Sequence, residues 1–389
     1  MPIQTIEDFQ AYVQSIEAEA DYKRPLAYGL GIRRRKGEKT LDVLFPHINY
    51  QTNFGGAAVL SKKVGWFGQQ NGFASLSLEQ LQDLYKTFLP FRNDTTKPHP
   101  NLRTLETILA AHKAPEGYAE IDIVLYLLFD ANHPVQTPEE AYFKLQCLSQ
   151  RCVKPHGVNL QGAFGVLNNL AWTNYGPMLP EDVPAERIRY LYTAQPLQIS
   201  HFDKFPYLVD YHLPSGCRIA ANAQVRLGAY LGEGTTVMPA GYINFNAGTE
   251  GNAMVEGRIS GGVFVGANSD IGGGASIMGT LSGGNKHVIT IGEKCLLGAN
   301  AGTGISLGFG CTIQAGLYIT AGMKIFLYNQ HDQPTDLNGK IVEEGQNLVK
   351  AMDLSGRDRM LFLQDSRTGR VICKPNPKTI ELNAALHKN

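Results

Sequence analysis

The chain has 389 residues, and its 35 lysines and arginines balance 35 aspartates and glutamates. This length predicts two or three domains with a substantial core, and the zero net charge argues against nucleic acid or an anionic membrane surface as a partner. No run of about 18 apolar residues occurs, and the first residues lack a charged segment followed by an apolar one. The sequence therefore predicts neither a membrane span nor a signal peptide, and it favours a cytoplasmic protein.

The cysteines are spread over the whole chain and form no CxxC pair; they are Cys147, Cys152, Cys217, Cys295, Cys311 and Cys373. A disulfide framework or a metal site needs closer or more regular spacing. For a cytoplasmic protein we expect reduced, mostly buried thiols.

Residues 1–205 are predicted to form a mixed, largely helical domain. Thr5 and Asp8 have the spacing of a capping box at a helix start. Further helices are predicted in SLEQLQDLYKTFL, NLRTLETILAAHK and TPEEAYFKLQCLSQ, and a strand in LDVLFPHINY. The segment IDIVLYLLF is either a buried strand or a core helix, and its β-branched start favours the strand. The basic run Arg33–Lys36 lies just before the first of these strands, and we expect a solvated loop there rather than a phosphate or nucleic-acid site.

A six-residue aliphatic repeat dominates the second half of the chain. A period of six fits neither an α-helix nor a simple strand, but it fits a triangular β-solenoid with coils of about 18 residues, in which each face takes one hexad. The repeated residues are Ile219, Val225, Leu231, Val237, Ile243, Ile259, Val265, Ile271, Ile277, Leu307, Ile313, Ile319 and Ile325.

The repeat sets the predicted domain organisation. A parallel β-helix is expected over residues 206–326, after the N-terminal domain of residues 1–205. Residues 327–389 are predicted to form a small β-rich cap, because an open solenoid end exposes strand edges. Asn338-Gly339 and Thr368-Gly369 mark turns in this cap.

Two interruptions of the repeat, at residues 244–258 and 278–290, are expected to be loops that leave the stack. The first contains Glu256 and Arg258, which face the same side if they share one strand. The carboxylate is a candidate general base and the arginine a candidate clamp for a substrate carboxylate. The alternative for this pair is a surface salt bridge.

The second interruption is rich in glycine, and its exposed N–H groups can bind a carbonyl oxygen or line a narrow channel. The alternative for the stretch Gly272–Gly284 is a flexible loop. His287 is the one histidine of the repeat region, which excludes a three-histidine zinc site. We expect a surface role for it rather than a catalytic one.

Several strings carry a family resemblance: GTTVM, NFNAGT, MVEGRIS, GGGASIMGTLSGG, CLLGANAG and QAGLYITAG. With them, residues 207–325 resemble the tetrahydrodipicolinate N-succinyltransferases, in the longer form found in actinobacteria and pseudomonads. The resemblance extends more weakly to AWTNYGPM, KFPYLVDYHLPSG and VKAMDLSG. It then covers about half of the chain, and the first 150 residues add little to it.

The resemblance implies a left-handed parallel β-helix and a homotrimer with active sites between neighbouring subunits. It also implies transfer of succinyl from succinyl-CoA, a co-substrate, to tetrahydrodipicolinate in lysine and diaminopimelate synthesis, with no tightly bound cofactor. Glu256 matches the catalytic glutamate, either as a base or as carrier of an acyl-anhydride. Residues matching donor-binding positions are Arg258, Gly273, Ser276, Ala299, Gln314, Ala315, Gly322 and Lys350.

Some positions depart from the family. Gln314 stands where a relative has Glu, and Leu363 and Gln364 replace a basic pair. Ala223 and Ala240 stand where some relatives carry magnesium-binding acids on the trimer axis, so no metal site is predicted.

Two other functions remain as alternatives. One is an acyltransferase that uses acetyl-CoA or a different amino acceptor on the same scaffold. The other is a non-enzymatic structural solenoid, which would have no affinity for CoA and gives no reason for Glu256 and Arg258 at a break in the repeat.

Overall fold

The computed structural model describes residues 3–66, 70–93, 99–111, 117–279, 288–378 and 382. The chain divides into two compact units. The first unit comprises residues 1–152, 157–206 and 210–212, and the second comprises residues 153–156, 207–209 and 213–389. Every helix within the described ranges is too short or too polar to cross a membrane.

The first unit combines helices with antiparallel sheets. Its helices are α1 Ile6–Glu17, α2 Phe54–Val64, α3 Leu78–Phe88, α4 Pro100–Ala111, α5 Pro138–Ser149, α6 Ala163–Val166 and α7 Val183–Leu191. Its strands are β1 Ala27–Lys36, β2 Lys39–Leu44, β3 Asn49–Tyr50, β4 Gly72–Leu76, β5 Glu120–Leu128, β6 Leu170–Thr173, β7 Gly176–Met178 and β8 Ile199–Asp203. One sheet has the order β2-β1-β5-β4 with β3 paired to β1, and another has the order β7-β6-β8.

The predicted helix starts are confirmed by side-chain caps. The Thr5 hydroxyl accepts from the Asp8 N–H at 3.1 Å, and Ser77 caps α3 in the same way through Gln80. Thr137 caps α5 by accepting from the Glu140 N–H at 3.2 Å. Each cap satisfies one N–H that has no partner within the helix. The sequence IDIVLYLLF is a strand, as its β-branched start indicated.

The expectation of a solvated loop at Arg33–Lys36 is wrong, because these residues form the end of β1. Arg33 is bonded to Asp122 at 2.6 Å and to Glu139 at 2.8 Å, and Asp122 lies directly opposite it on β5. Arg34 is paired in the same way with Asp42 on β2. A run of cations is stable in this strand because carboxylates on both neighbouring strands neutralise it.

The second unit begins with a stack of two-residue strands that repeat in threes. These strands are β9 Arg218–Ile219, β10 Gln224–Val225, β11 Tyr230–Leu231, β12 Thr236–Val237, β13 Tyr242–Ile243, β14 Gly248–Thr249, β15 Met254–Val255, β16 Arg258–Ile259, β17 Phe264–Val265, β18 Asp270–Ile271, β19 Ser276–Ile277, β20 Thr290–Ile291, β21 Leu296–Leu297, β22 Gly302–Thr303, β23 Thr312–Ile313 and β24 Tyr318–Ile319.

These strands form three parallel sheets, one for each face of the solenoid. Face 1 contains β9, β12, β15, β18, β21 and β23; face 2 contains β10, β13, β16, β19, β22 and β24; face 3 contains β11, β14, β17 and β20. Equivalent aliphatic residues are stacked in register, as for Val237, Val255 and Ile271, all fully buried. The second residue of each strand points into the coil because neighbouring residues of a strand face opposite sides.

The first interruption is not a loop, contrary to the prediction. The stack continues through β14 and β15, where Thr249 takes the place of the missing aliphatic residue. Thr249 is fully buried, and its hydroxyl is bonded to that of Thr235 at 2.8 Å. A polar residue is tolerated inside the coil because its hydrogen bond is satisfied there. Of the second interruption, residues 280–287 lie outside the described part.

The C-terminal segment adds longer strands to the end of the solenoid. They are β25 Lys324–Leu327, β26 Leu348–Lys350, β27 Met360–Gln364 and β28 Val371–Pro375. β27 pairs in parallel with β23, so the edge of face 1 is covered at Ile313 by Phe362. Residues 336–339 and 366–368 turn as predicted, whereas the domain boundaries at residues 205 and 326 remain a prediction.

Candidate active site

One corner of the solenoid, between face 1 and face 2, brings together most of the predicted site residues. We call it the site corner; its segments are residues 238–241, 256–257, 272–275, 298–301 and 314–317. The segment 256–257 has two residues and the others have four, so the chain is two residues shorter at this corner. This shortening, together with Thr249 in place of an aliphatic residue, produces the first break in the aliphatic repeat.

The shortened segment holds Glu256 in a tight turn. The N–H groups of Glu256 and Gly257 both donate to the Ile271 carbonyl, at 2.8 and 3.1 Å. A Cβ atom on Gly257 would lie 2.5 Å from the Ala275 carbonyl oxygen, so the backbone comes closer here than any side chain allows. The expectation that Glu256 and Arg258 share one strand is therefore wrong, because Arg258 begins β16 and Glu256 lies in the turn before it.

Among the residues that the structure describes, the Glu256 carboxylate has no charged partner. It is half-buried, and its Oε2 atom lies 3.4 Å from the position that a Cβ would take on Gly273. Within the described residues it forms no hydrogen bond or ion pair, and Arg258, which is exposed, forms no ion pair either. The alternative of a Glu256–Arg258 salt bridge is therefore not realised, and the carboxylate is available to take a proton.

Uncommitted backbone N–H groups recur along the site corner. In the described part of the chain, the N–H groups of Gly273, Ala299 and Ala315 have no acceptor. The residues that follow Ala299 and Ala315 do donate to the preceding coil: Asn300 to the Gly273 carbonyl and Gly316 to the Ala299 carbonyl, both at 2.8 Å. Gly273, Ala299 and Ala315 hold equivalent positions in successive coils, each as the second residue of its corner segment. They form a column of donors without large side chains, which suits a ligand with several carbonyl groups.

Face 2 carries the outward side chains next to this column. The residue before each buried aliphatic points outward, and the register places Arg258 between Tyr242 and Ser276. A cleft of about 550 Å³ beside Arg258 is lined by Asn222, Gln224, Pro239, Ala240, Gly241, Tyr242, Gly257 and Gly274. Glu256 itself is not part of its lining. Gln224 and Tyr242 were missed by the sequence interpretation, although their position before an aliphatic residue already predicts that they face outward.

The remaining predicted residues fall into two places. Gln314 lies on the site corner, and its Oε1 atom accepts from the Gln364 N–H at 3.0 Å. Gly322 and Lys350 lie away from the site corner. Gly322 lies two residues before the start of β25, and Lys350 is the last residue of β26. Both are exposed.

The other sequence predictions concern a histidine, the glycine-rich stretch, two alanines and the cysteines. His287 and the end of the glycine-rich stretch, residues 280–284, are outside the described part of the chain. Ala240 lines the cleft, whereas Ala223 packs against the core at the start of the solenoid. All cysteines are free thiols and most are buried, as predicted; burial raises the pKa of Cys373 well above its ordinary value.

Family models match three parts of the chain. The tetrahydrodipicolinate N-succinyltransferase N-terminal model matches residues 7–165, and the middle model of the same family matches residues 167–207. A model of the hexapeptide repeat of succinyl-transferase matches residues 288–321. The expectation that the first 150 residues contribute little to the resemblance is therefore wrong, because that domain is itself characteristic of the family.

Curated relatives and a solved structure agree with these models. A 2,3,4,5-tetrahydropyridine-2,6-dicarboxylate N-succinyltransferase of Pseudomonas putida is 43% identical over 366 residues, covering 93% of this chain and 97% of its own. The enzyme of the same name from Vibrio cholerae is 49% identical over 73% of this chain and 82% of its own.

The crystal structure of a Campylobacter jejuni protein, assigned as a 2,3,4,5-tetrahydropyridine-2-carboxylate N-succinyltransferase, superposes with a TM-score of 0.86 at 36% identity. The match covers 98% of this chain and 100% of that one. The predicted fold class is an α+β N-terminal domain followed by a left-handed parallel β-helix and a β cap, with the β-helix taken from the repeat and its left hand from the family resemblance; it is confirmed. The chain belongs to the tetrahydrodipicolinate N-succinyltransferase family.

Proposed function

We propose that this chain transfers succinyl from succinyl-CoA to the amine of L-2-amino-6-oxopimelate, the open form of tetrahydrodipicolinate. The curated relatives are named as 2,3,4,5-tetrahydropyridine-2,6-dicarboxylate N-succinyltransferases, and the proposed reaction is a step of lysine and diaminopimelate synthesis. One observation carries the assignment of the site: the half-buried Glu256 carboxylate has no partner among the described residues and lies over Gly273, whose N–H is uncommitted. A base and an oxyanion donor are thus adjacent.

In the proposed reaction Glu256 removes a proton from the acceptor ammonium, which has no nucleophilic lone pair until it is deprotonated. The free amine attacks the thioester carbonyl, and the oxygen that becomes negative accepts from the Gly273 N–H. The C–S bond then breaks and an amide forms. The CoA sulfur takes the proton that Glu256 holds, and the second proton that the nitrogen loses passes to solvent water, so that charge and atoms balance.

The donor is proposed to lie along the site corner. The N–H groups of Ala299 and Ala315 would donate to amide carbonyls of the pantetheine arm, and their small side chains leave room for it. Arg258, exposed beside Ser276 on face 2, would bind a substrate carboxylate through two hydrogen bonds. No tightly bound cofactor or metal is required for these steps.

The proposed assembly is a cytoplasmic homotrimer in which neighbouring subunits complete each active site. The open cleft beside Arg258 supports this, because a single chain leaves that side of the site exposed. Neither nucleic acid nor a membrane is proposed as a partner, in keeping with the balanced charge of the chain.

Replacing Glu256 tests the base. We expect Glu256→Gln to lower kcat by about 10²–10⁴-fold, the usual contribution of a positioned base, while CoA binding persists. Turnover is measured with succinyl-CoA and the acceptor, and binding by calorimetry. Glu293→Gln is the matched control, because Glu293 is an exposed solenoid glutamate without an ion pair in the described residues. Full activity of Glu256→Gln would remove Glu256 from the mechanism.

Turnover measured with other donors and acceptors tests the two alternative functions. Turnover with acetyl-CoA in place of succinyl-CoA, or with another amino acid as acceptor, would indicate the second acyltransferase function. A structural solenoid predicts that calorimetry detects no binding of CoA at all.

A further inference from the structure

The phosphate groups of CoA need cationic partners, and the family's basic pair is replaced here by Leu363 and Gln364. Leu363 is half-buried and uncharged, and the uncharged Gln364 side chain donates to the Gly369 carbonyl at 3.4 Å. Neither side chain can neutralise a phosphate. Other cationic side chains are therefore needed to bind it.

Two lysines lie directly opposite each other on β25 and β26. The antiparallel register pairs Lys324 with Lys350, and the next pair, Ile325 and Val349, faces the core. Both lysines are exposed, so the two ammonium groups share the outer face of this ribbon. Cβ atoms of such pairs are about 4.5–5.5 Å apart, and like charges in this arrangement destabilise a sheet.

In the described part of the chain, no ion pair with a carboxylate neutralises Lys324 or Lys350. Within the described residues neither ammonium forms an ion pair, whereas neighbouring cations do: Arg370 with Glu344 at 2.7 Å and Lys374 with Asp332 at 3.0 Å. The Asp353 carboxylate lies close by, where it accepts from the Lys350 backbone N–H at 3.2 Å. With Asp353 included, the ribbon still carries an excess positive charge.

The approach to this lysine pair is open. Gly322 lies two residues before Lys324, is exposed, and has no atom within 4 Å of the place where a Cβ would be. The Ala351 N–H donates to the Met323 carbonyl at 2.8 Å, which fixes the backbone between the two lysines. A fixed, accessible pair of ammonium groups is complementary to a phosphate dianion.

We propose that Lys324 acts with Lys350 to bind a phosphate group of the CoA donor. This inference rests on the proposed function and adds to it a residue, Lys324, and the chemical group that it recognises. The role is one of affinity: the lysine pair holds the phosphorylated end of the donor and takes no part in proton transfer. It replaces the charge that Leu363 and Gln364 no longer supply.

The test compares donors with and without phosphate. We expect Lys324→Gln to raise KM for succinyl-CoA roughly tenfold with kcat unchanged, the loss typical of one charge-assisted contact. With succinyl-pantetheine thioester, which has no phosphate, the variant and the parent protein should have the same KM. Lys324→Arg should restore most of the affinity. Lys340→Gln, an exposed lysine of the same segment without an ion pair in the described part, is the matched control and should change neither KM.

Calorimetry with free CoA repeats the comparison without turnover. The parent should bind CoA more tightly than Lys324→Gln, and the difference should shrink as salt is raised. An unchanged KM and CoA affinity in Lys324→Gln would overturn the proposal, as would an equal loss with the phosphate-free donor. A parent protein that shows Lys324-dependent CoA binding but no succinyl transfer would instead contradict the proposed function and leave the phosphate site standing.

Discussion

Glu256 and Arg258 are charged side chains held two residues apart without forming an ion pair in the described structure. A half-buried carboxylate with no partner loses solvation and gains nothing in return, so it weakens the fold. Proteins keep such costs mainly where a residue acts on a ligand. The exposed Lys324 and Lys350 carry a cost of a different kind, because the register places two like charges directly opposite each other.

The pH dependence of stability is predicted from His99. The centroid of its ring lies 5.0 Å from that of Phe88 and 4.8 Å from that of Phe91. Burial, together with nearby His47, lowers the pKa of His99 to about 4. The unfolded chain binds a proton on this histidine near pH 6.5, whereas the folded chain does not until about pH 4. Stability is therefore present above pH 6.5 and is lost as the pH falls from there toward 4.

Urea unfolding followed by circular dichroism at pH 7 and pH 5 measures this effect. We expect the free energy of unfolding to drop by about 1–2 kcal/mol through His99 between these values. His99→Phe should remove that part of the pH dependence, whereas His331→Gln, at an exposed histidine, should not. An unaltered pH dependence in His99→Phe would contradict the assignment.

At the scale of elements, the two-residue corner at Glu256 and Gly257 determines where the Glu256 carboxylate lies. The coil keeps its register on face 1, where Val255 lies above Val237, and loses two residues before Ile259. The turn is possible because Gly257 has no side chain. Backbone geometry therefore places the carboxylate over Gly273.

Gly257→Ala is predicted to disturb this corner. The new Cβ would meet the carbonyl oxygens of Ala275 and Gly272 at 2.5 and 2.9 Å, so the turn has to move. We expect a loss of about 1–3 kcal/mol in unfolding free energy and a lower kcat, because Glu256 moves with the turn. Thermal melting and turnover measure the two effects. Gly165→Ala, where no atom lies within 4 Å, is the control, and a Gly257→Ala protein with parental kcat would show that Glu256 needs no such positioning.

At the scale of the whole molecule, the proposed trimer determines whether the site is complete. We expect light scattering of the purified protein to give three times the 42.6 kDa chain mass. A symmetric ring of identical subunits would cover the open side of the cleft beside Arg258 with a neighbouring chain. A monomer that retains full turnover would contradict the proposal that neighbouring subunits complete the active site.

The sequence by itself determined the solenoid, because a six-residue aliphatic period allows few other ways to bury one residue per face, and stacked Val237, Val255 and Ile271 confirm it. It also determined helix starts such as Thr5 and Thr137, since capping depends on residues within one turn. The candidate Glu256 came from a break in the repeat together with the family resemblance.

Only the tertiary structure decided what depends on contacts far apart in the sequence. The Arg33–Lys36 run is a strand because Asp42 and Asp122, on two other strands, neutralise it; local sequence indicated a loop. The separation of Glu256 from Arg258, the free N–H column at Gly273, Ala299 and Ala315, and the opposition of Lys324 and Lys350 all follow from strand register. Register is set by packing between coils and strands, and no short stretch of sequence specifies it alone.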